Sequence, residues 1–189
     1  RVARAAGTAE HVTLAPGGLD QWLKTYLAIQ NPSVWASRSD WVLSFKPDLS
    51  EPLRERLAVA ARATPRELAA AEKERAAIRH RLDTMLAGGA ILCLPTTPDI
   101  APLRARGSSH AQREAILSLT CIASLCGLPQ VNLPMAELKG CPLGLGLIAA
   151  RGADTTLLAL AAKIKRPSEP QRFTSRDALA ARGRRMRRL

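Results

Sequence analysis

Aromatic side chains are scarce: three Trp, one Tyr and two Phe make up 3% of 189 residues. A core built by this chain must be filled mainly by Leu, Ile, Val and Ala. The few aromatics are not interleaved with Lys and Arg, as a base-stacking surface would require. Trp22, Trp35 and Trp41 are therefore read as packing residues, and a nucleic-acid partner is not expected. Long apolar runs are also missing. No stretch of about 18 uninterrupted apolar residues occurs, so no transmembrane helix and no membrane partner are expected. With no signal-peptide pattern either, a cytoplasmic location is the expectation. The first residue is Arg1 rather than Met, which suggests a fragment, a processed chain or a trimmed one.

Cysteine is limited to Cys93, Cys121, Cys126 and Cys141. No CxxC or HxxxH pair accompanies them, which argues against zinc. A chain of this size with no secretion signal is a poor candidate for a disulfide framework. All four are read as reduced, buried small hydrophobes. No metal and no cofactor are expected.

Several catalytic motifs are absent too. There is no Gly-x-Ser-x-Gly elbow and no phosphate loop. Gly144-Leu-Gly146-x-x-Ala149 matches a degenerate dinucleotide fingerprint. Its glycines lie within an expected strand, however, not in the turn that follows one. Ser108 or Ser109, His110 and Asp99 could form a hydrolase triad, but they cluster on one loop with nothing to orient them. His80 sits among charged residues and is read as solvated.

What is present is enough chain for one domain with a real core. The net charge of +12 is uneven: residues 163–189 hold ten basic and two acidic residues, leaving only +4 for the rest. Three regions follow from this: an irregular segment 1–18, a folded body 19–164, and a basic, disordered tail 165–189.

Within the body, Leu19, Trp22, Leu23, Tyr26 and Leu27 have helical spacing, with Pro32 ending the helix and a second short one running through Trp35 to Trp41. Another helix is expected over 49–63, with Pro52 in its first turn. Thr64, Pro65 and Glu67 spell an N-cap, a first-position proline and a capping box. Leu68, Ala71, Arg75, Ile78, Leu82 and Met85 then form one stripe, stopped by Gly88-Gly89. Residues 90–94 read as a buried strand ended by Pro95. Ser109 and Gln112 open a helix that closes at Gly127. Val131 to Leu133 reads as a strand closed by Pro134, and Gly140 as a turn. Residues 143–149 read as a third strand, with Leu143, Leu145 and Leu147 on one face and Gly144, Gly146 and Ile148 on the other. Two glycines on one face leave room for close approach by a helix or a ligand. Asp154 is the expected N-cap of a last helix. The order strand, helix, strand, strand, helix fits an α/β fold, a sheet flanked by helices.

One combination is more specific than any single motif. Ile91-Leu-Cys-Leu-Pro95-Thr96-Thr-Pro98 is followed by Ser124-Leu-Cys-Gly127-Leu-Pro129-Gln-Val-Asn-Leu-Pro134, then by Gly140-Cys-Pro142-Leu-Gly144-Leu-Gly-Leu-Ile148 and Gly152-Ala-Asp154-x-x-Leu157-Leu158. This pattern resembles the C-terminal third of the amidase signature family. The resemblance is strong over 90–164 and loose from 20 onward, and is nearest to the amidase 1 or indoleacetamide hydrolase branch. It implies the C-terminal part of the amidase-signature fold, with a mixed β-sheet flanked by helices.

The function it implies is hydrolysis of a carboxamide to a carboxylate and ammonia or an amine. The family's nucleophile is a serine, activated through a second serine by a lysine. Its oxyanion is held by backbone N–H groups of a Gly- and Ser-rich loop. Neither that loop nor its lysine is found in these 189 residues, so no catalytic residue is assigned. Lys24, Lys46 and Lys73 remain ordinary surface lysines. The resemblance makes Thr96, Thr97, Gly127 and Pro129 candidates for the substrate-pocket wall. The expected partners are a small amide substrate and either a separate N-terminal amidase half or further copies of this chain. Alone, the chain is expected to be inactive and, with strand edges exposed, prone to aggregate. The alternative is a non-catalytic interaction module whose basic tail binds nucleic acid or an acidic partner.

Overall fold

The polar start of the central helix follows from three residues. Thr64 Oγ1 accepts a hydrogen bond from the Glu67 amide at 3.2 Å, and the Glu67 carboxylate accepts from the Thr64 amide at 2.9 Å. That reciprocal pair satisfies two amides with no partner inside the helix. In the computed structural model, which describes residues 7–102 and 109–164, this helix spans Pro65–Met85. Before it come α1 (Leu19–Phe45) and α2 (Glu51–Ala61), which make it α3. A short 3-10 turn, Ala87–Gly89, leads to β1 (Leu92–Pro95). Then follow α4 (His110–Cys126), β2 (Gln130–Leu138), β3 (Cys141–Ile148) and α5 (Asp154–Lys163).

The sheet order is β1-β3-β2, with both pairings antiparallel. The fold is α/β as expected. The expected mixed character does not occur among these strands: β1 and β2 run parallel to each other, but β3 lies between them. Lys139 and Gly140 join β2 to β3, both with positive φ (54° and 75°), the geometry of a type I′ hairpin turn.

Two apolar layers sandwich the sheet. On one side, Ile148 packs with Trp22, Ile78, Leu82, Leu86, Ile122 and Leu125 from α1, α3 and α4 and their flanks. On the other, Leu147 packs with Leu157 and Leu160 of α5 and with Ile164. The α3 stripe is the reason for the first layer: Ala71, Ile78 and Leu82 recur at helical spacing and are buried. The end of α4 is equally local in origin. Gly127 takes φ 65°, and the amide of Leu128 reaches back to the Ala123 carbonyl at 3.0 Å. This is a Schellman arrangement that favours glycine.

Several expectations are corrected. Pro32 does not end the first helix; α1 continues through it to Phe45. A helical proline forfeits one backbone bond and crowds the carbonyl four residues back, at about 3 kcal/mol. That weakens a helix without forbidding one, and α1 is anchored before Pro32 by buried Trp22 and Leu23 and packs along α2 and α3. Over its 27 residues α1 extends about 40 Å, beyond the core. Trp41, expected to pack, is therefore 48% exposed.

Pro134 does not close β2, because the register shifts between Leu133 and Ala136 and leaves the proline without a ladder partner on an edge strand. Asp154 is the first residue of α5, not its cap; Ala153 holds the cap position. There Asp154 still favours the helix by placing negative charge at its N-terminus. In the segment before α1, the Arg81 guanidinium donates to the Thr13 and Leu14 carbonyls at 2.7 Å each. All four cysteines are free, but only Cys121 and Cys126 are buried. Cys93 is exposed on edge strand β1, and Cys141 is half-buried directly after the hairpin turn. The expected tail 165–189, and the alternative reading that rests on it, lie outside the described residues.

Candidate functional site

The glycines of β3 decide what can stand over the sheet. Thr96 continues the line of β1, its amide donating to the Gly144 carbonyl at 3.1 Å. Asn132 is opposite Gly146 on the other flank. Successive side chains alternate between faces, so Thr96, Gly144, Gly146, Asn132 and Gln130 share one face. Thr96 Oγ1 and Asn132 Oδ1 meet above β3 at 3.3 Å. A methyl group on Gly144 would lie 2.3 Å from Thr96 Oγ1 and 2.4 Å from Asn132 Oδ1, so only glycine admits the pair. At Gly146 the nearest contacts would be Gln130 Nε2 at 2.9 Å and Thr96 Cγ2 at 3.1 Å.

Beside this pair the structure holds an open recess of about 230 Å³. Its floor is Thr96, Asn132 and Gly144. Thr97, Pro98 and Ile100 form the wall after β1, Gln112 and Ile116 the wall from α4, and Pro142 the β3 side. Asp99 also lines it; its Oδ1 accepts from the Ile100 amide at 2.8 Å. The lining mixes apolar side chains with hydroxyl, carboxamide and carboxylate groups in nearly equal measure.

Of the four residues expected at a pocket wall, Thr96 and Thr97 line this recess, whereas Gly127 and Pro129 are not among its lining residues. The Pro129 carbonyl accepts from the Ala149 amide. Ala149 is five residues along the chain from Gly144, roughly 17 Å in extended strand. Gly127 serves the end of α4, near the Arg151 guanidinium. The sequence reading singled out Gly144 and Gly146 as space for close approach, but not Asn132, Gln112 or Ile116. The signal for Asn132 was available: Gln130 and Asn132 put amides on alternate positions of one strand.

The loop triad does not assemble. Ser109 Oγ accepts from the Gln112 amide as a helix cap, His110 pairs with Glu114 at 3.2 Å, and Asp99 is held by Ile100. Ser108 lies outside the described residues. No group of three or more His, Cys, Asp or Glu among the described residues could hold a metal ion. Burial pushes the Cys121 and Cys126 thiols up to about 11, which makes both poor nucleophiles.

The Amidase family matches residues 21–158. Amidase 1 of Oryza sativa subsp. japonica is 32% identical over 133 residues, 69% of this chain and 31% of the relative. Translocon at the outer membrane of chloroplasts 64 of Pisum sativum is 29% identical over 124 residues, 65% of this chain and 21% of that protein. A crystal structure of an amidase superposes with a TM-score of 0.69 at 29% identity, covering 79% of this chain and 35% of the other. The chain thus spans about a third or less of the length of these relatives. The expected cytoplasmic location does not stand: the pea relative is a translocon protein of the chloroplast outer membrane, so likeness to these proteins carries no cytoplasmic address. No helix among the described residues is long and apolar enough to cross a membrane. With 138 of its 189 residues inside the family match, the chain belongs to the amidase family.

Proposed function

We propose that residues 19–164 form the C-terminal portion of an amidase domain that hydrolyses a carboxamide to a carboxylate and ammonia or an amine. The observation that carries this is the family match over residues 21–158. The chain supplies one wall of the substrate site, with Thr96 and Thr97 at the recess. The nucleophilic serine, the bridging serine and the lysine come from a further amidase segment, since no residue here occupies such a position. Among the described residues β1 and β2 each have one open edge, where that segment adds strands. Gly127 and Pro129 support the site indirectly, by ending α4 and starting β2 in register.

The test is complementation. The purified chain should release no ammonia from indoleacetamide or a simple aryl amide. Joined to the serine- and lysine-bearing segment of a relative such as rice Amidase 1, it should restore release. Ammonia release by the chain alone, or none from a folded joined protein with any of several amides, would overturn the proposal.

A further inference from the structure

We propose that the far half of α1 is a self-association surface, on which a second copy of this chain lays the same half-helix antiparallel about a two-fold axis. This goes beyond the amidase reading and does not depend on it.

The surface is one stripe. Val34, Arg38, Trp41 and Phe45 follow one another at steps of four, three and four, so they share one face of α1. Val34 is 37% exposed, Trp41 48% and Phe45 75%, and Arg38 is exposed among them. The side of this half-helix that is partly covered is a different one: Asn31, Trp35, Ser39 and Val42 recur at helical spacing and are half-buried.

The order of the stripe decides what fits it. Steps of four, three and four read the same in both directions. A second copy turned end for end about a point between Ser39 and Asp40 therefore sets Val34 against the partner's Phe45 and Arg38 against the partner's Trp41. The two-fold axis makes each contact twice.

Arg38 gives the pairing its specificity. The residues three and four positions from it along the helix are Val34, Trp35, Trp41 and Val42, all apolar. It makes no hydrogen bond, ion pair or ring contact among the described residues. A guanidinium among apolar neighbours is matched by an aromatic face, which the antiparallel copy brings as Trp41. A parallel copy would set Arg38 against Arg38 instead, with like charges opposed.

The overlap from Val34 to Phe45 is about 17 Å of helix. At their exposed fractions, Trp41 and Phe45 offer roughly 250 Å² per chain. This is the small end of the interface range, below about 1,200 Å² in total, where complexes are weak and reversible. The dimer therefore forms in the micromolar range.

The experiment is sedimentation velocity of the purified 189-residue chain from about 1 to about 300 µM. A reversible monomer–dimer equilibrium is expected. Its dissociation constant should rise at least about thirtyfold in Trp41→Ala and about tenfold in Arg38→Gln. Both side chains are exposed, so each variant should keep the parent's melting temperature at low concentration. Disulfide trapping reads the arrangement. Val34→Cys and Phe45→Cys chains, each also carrying Cys93→Ser and Cys141→Ser, are mixed in equal amounts and oxidised. Mass spectrometry should find position 34 joined to position 45, and neither joined to itself. A chain that stays monomeric throughout would overturn the proposal and leave the stripe to the remainder of the amidase domain. Association indifferent to both substitutions, which would point to the strand edges, or a disulfide between like positions would overturn it equally.

Discussion

Arg151 chelates Asp83 across 68 positions of chain, its Nη2 lying 2.9 and 3.1 Å from the two carboxylate oxygens. The other nitrogen, Nη1, donates to the Cys126 carbonyl at 2.5 Å, the last residue of α4. One guanidinium thus ties α3, the end of α4 and the loop after β3. Both partners are about half exposed, so the ion pair by itself contributes under about 1 kcal/mol. The charged bond to a helix-terminal carbonyl adds more. Arg151→Ala should therefore cost about 1–2 kcal/mol, and Asp83→Asn about 0.5 kcal/mol or less, in urea unfolding. Equal effects would show that the carboxylate, not the carbonyl, is the partner that matters.

The two glycines of β3 should respond differently to alanine. At Gly144 the added methyl meets two side chains closer than 2.5 Å, while at Gly146 its nearest contact is 2.9 Å. Overpacking of this kind costs about 1–3 kcal/mol. Gly144→Ala should stand at the upper end of that range and Gly146→Ala at the lower, read as melting temperatures. The reverse order would mean that Thr96 and Asn132 do not meet over β3.

The capping box makes part of the stability pH-dependent. Hydrogen bonds from Thr64 hold the Glu67 carboxyl below its ordinary value. A carboxylate with a lowered folded pKa stabilises above the unfolded pKa, and that contribution fades as pH falls through the folded one. Thr64→Ala removes the cap and should cost about 1 kcal/mol near neutral pH. Its deficit against the parent chain should shrink between about pH 5 and about pH 3, in the carboxylate range. A deficit that stayed constant would mean the Glu67 carboxylate takes no part in the cap.

Thiol labelling should sort the cysteines by burial. Cys121 and Cys126 are buried, with thiols raised to about 11, so neither is ionised near pH 8. Partial desolvation by its neighbours also raises the exposed Cys93 thiol, so it should label more slowly than a free cysteine. The native chain should yield two modified thiols by mass spectrometry, Cys93 and Cys141, and all four in denaturant. Early modification of Cys121 would show that the core between α4 and its neighbours opens readily.

Much of this molecule is legible locally. The capping box at Thr64, the stripe from Ala71 to Leu82 and the glycine stop at 127 depend on residues within one or two turns. Side chains three and four apart meet wherever the helix lies in the fold. The alternation of Leu and Gly from 143 to 148 likewise assigns two faces from the pleat alone.

Other features rest on what lies across the chain. Whether Pro32 or Pro134 ends an element depends on the neighbours that support its flanks. The exposure of Trp41 depends on where the core stops, and that of Cys93 on β1 being an edge. Above all, Thr96 and Asn132 are unremarkable polar residues until β3 brings them together. Backbone periodicity fixed which face Gly144 shares. Only the packing of two strands against a third decided that its missing side chain would let Thr96 and Asn132 meet above it.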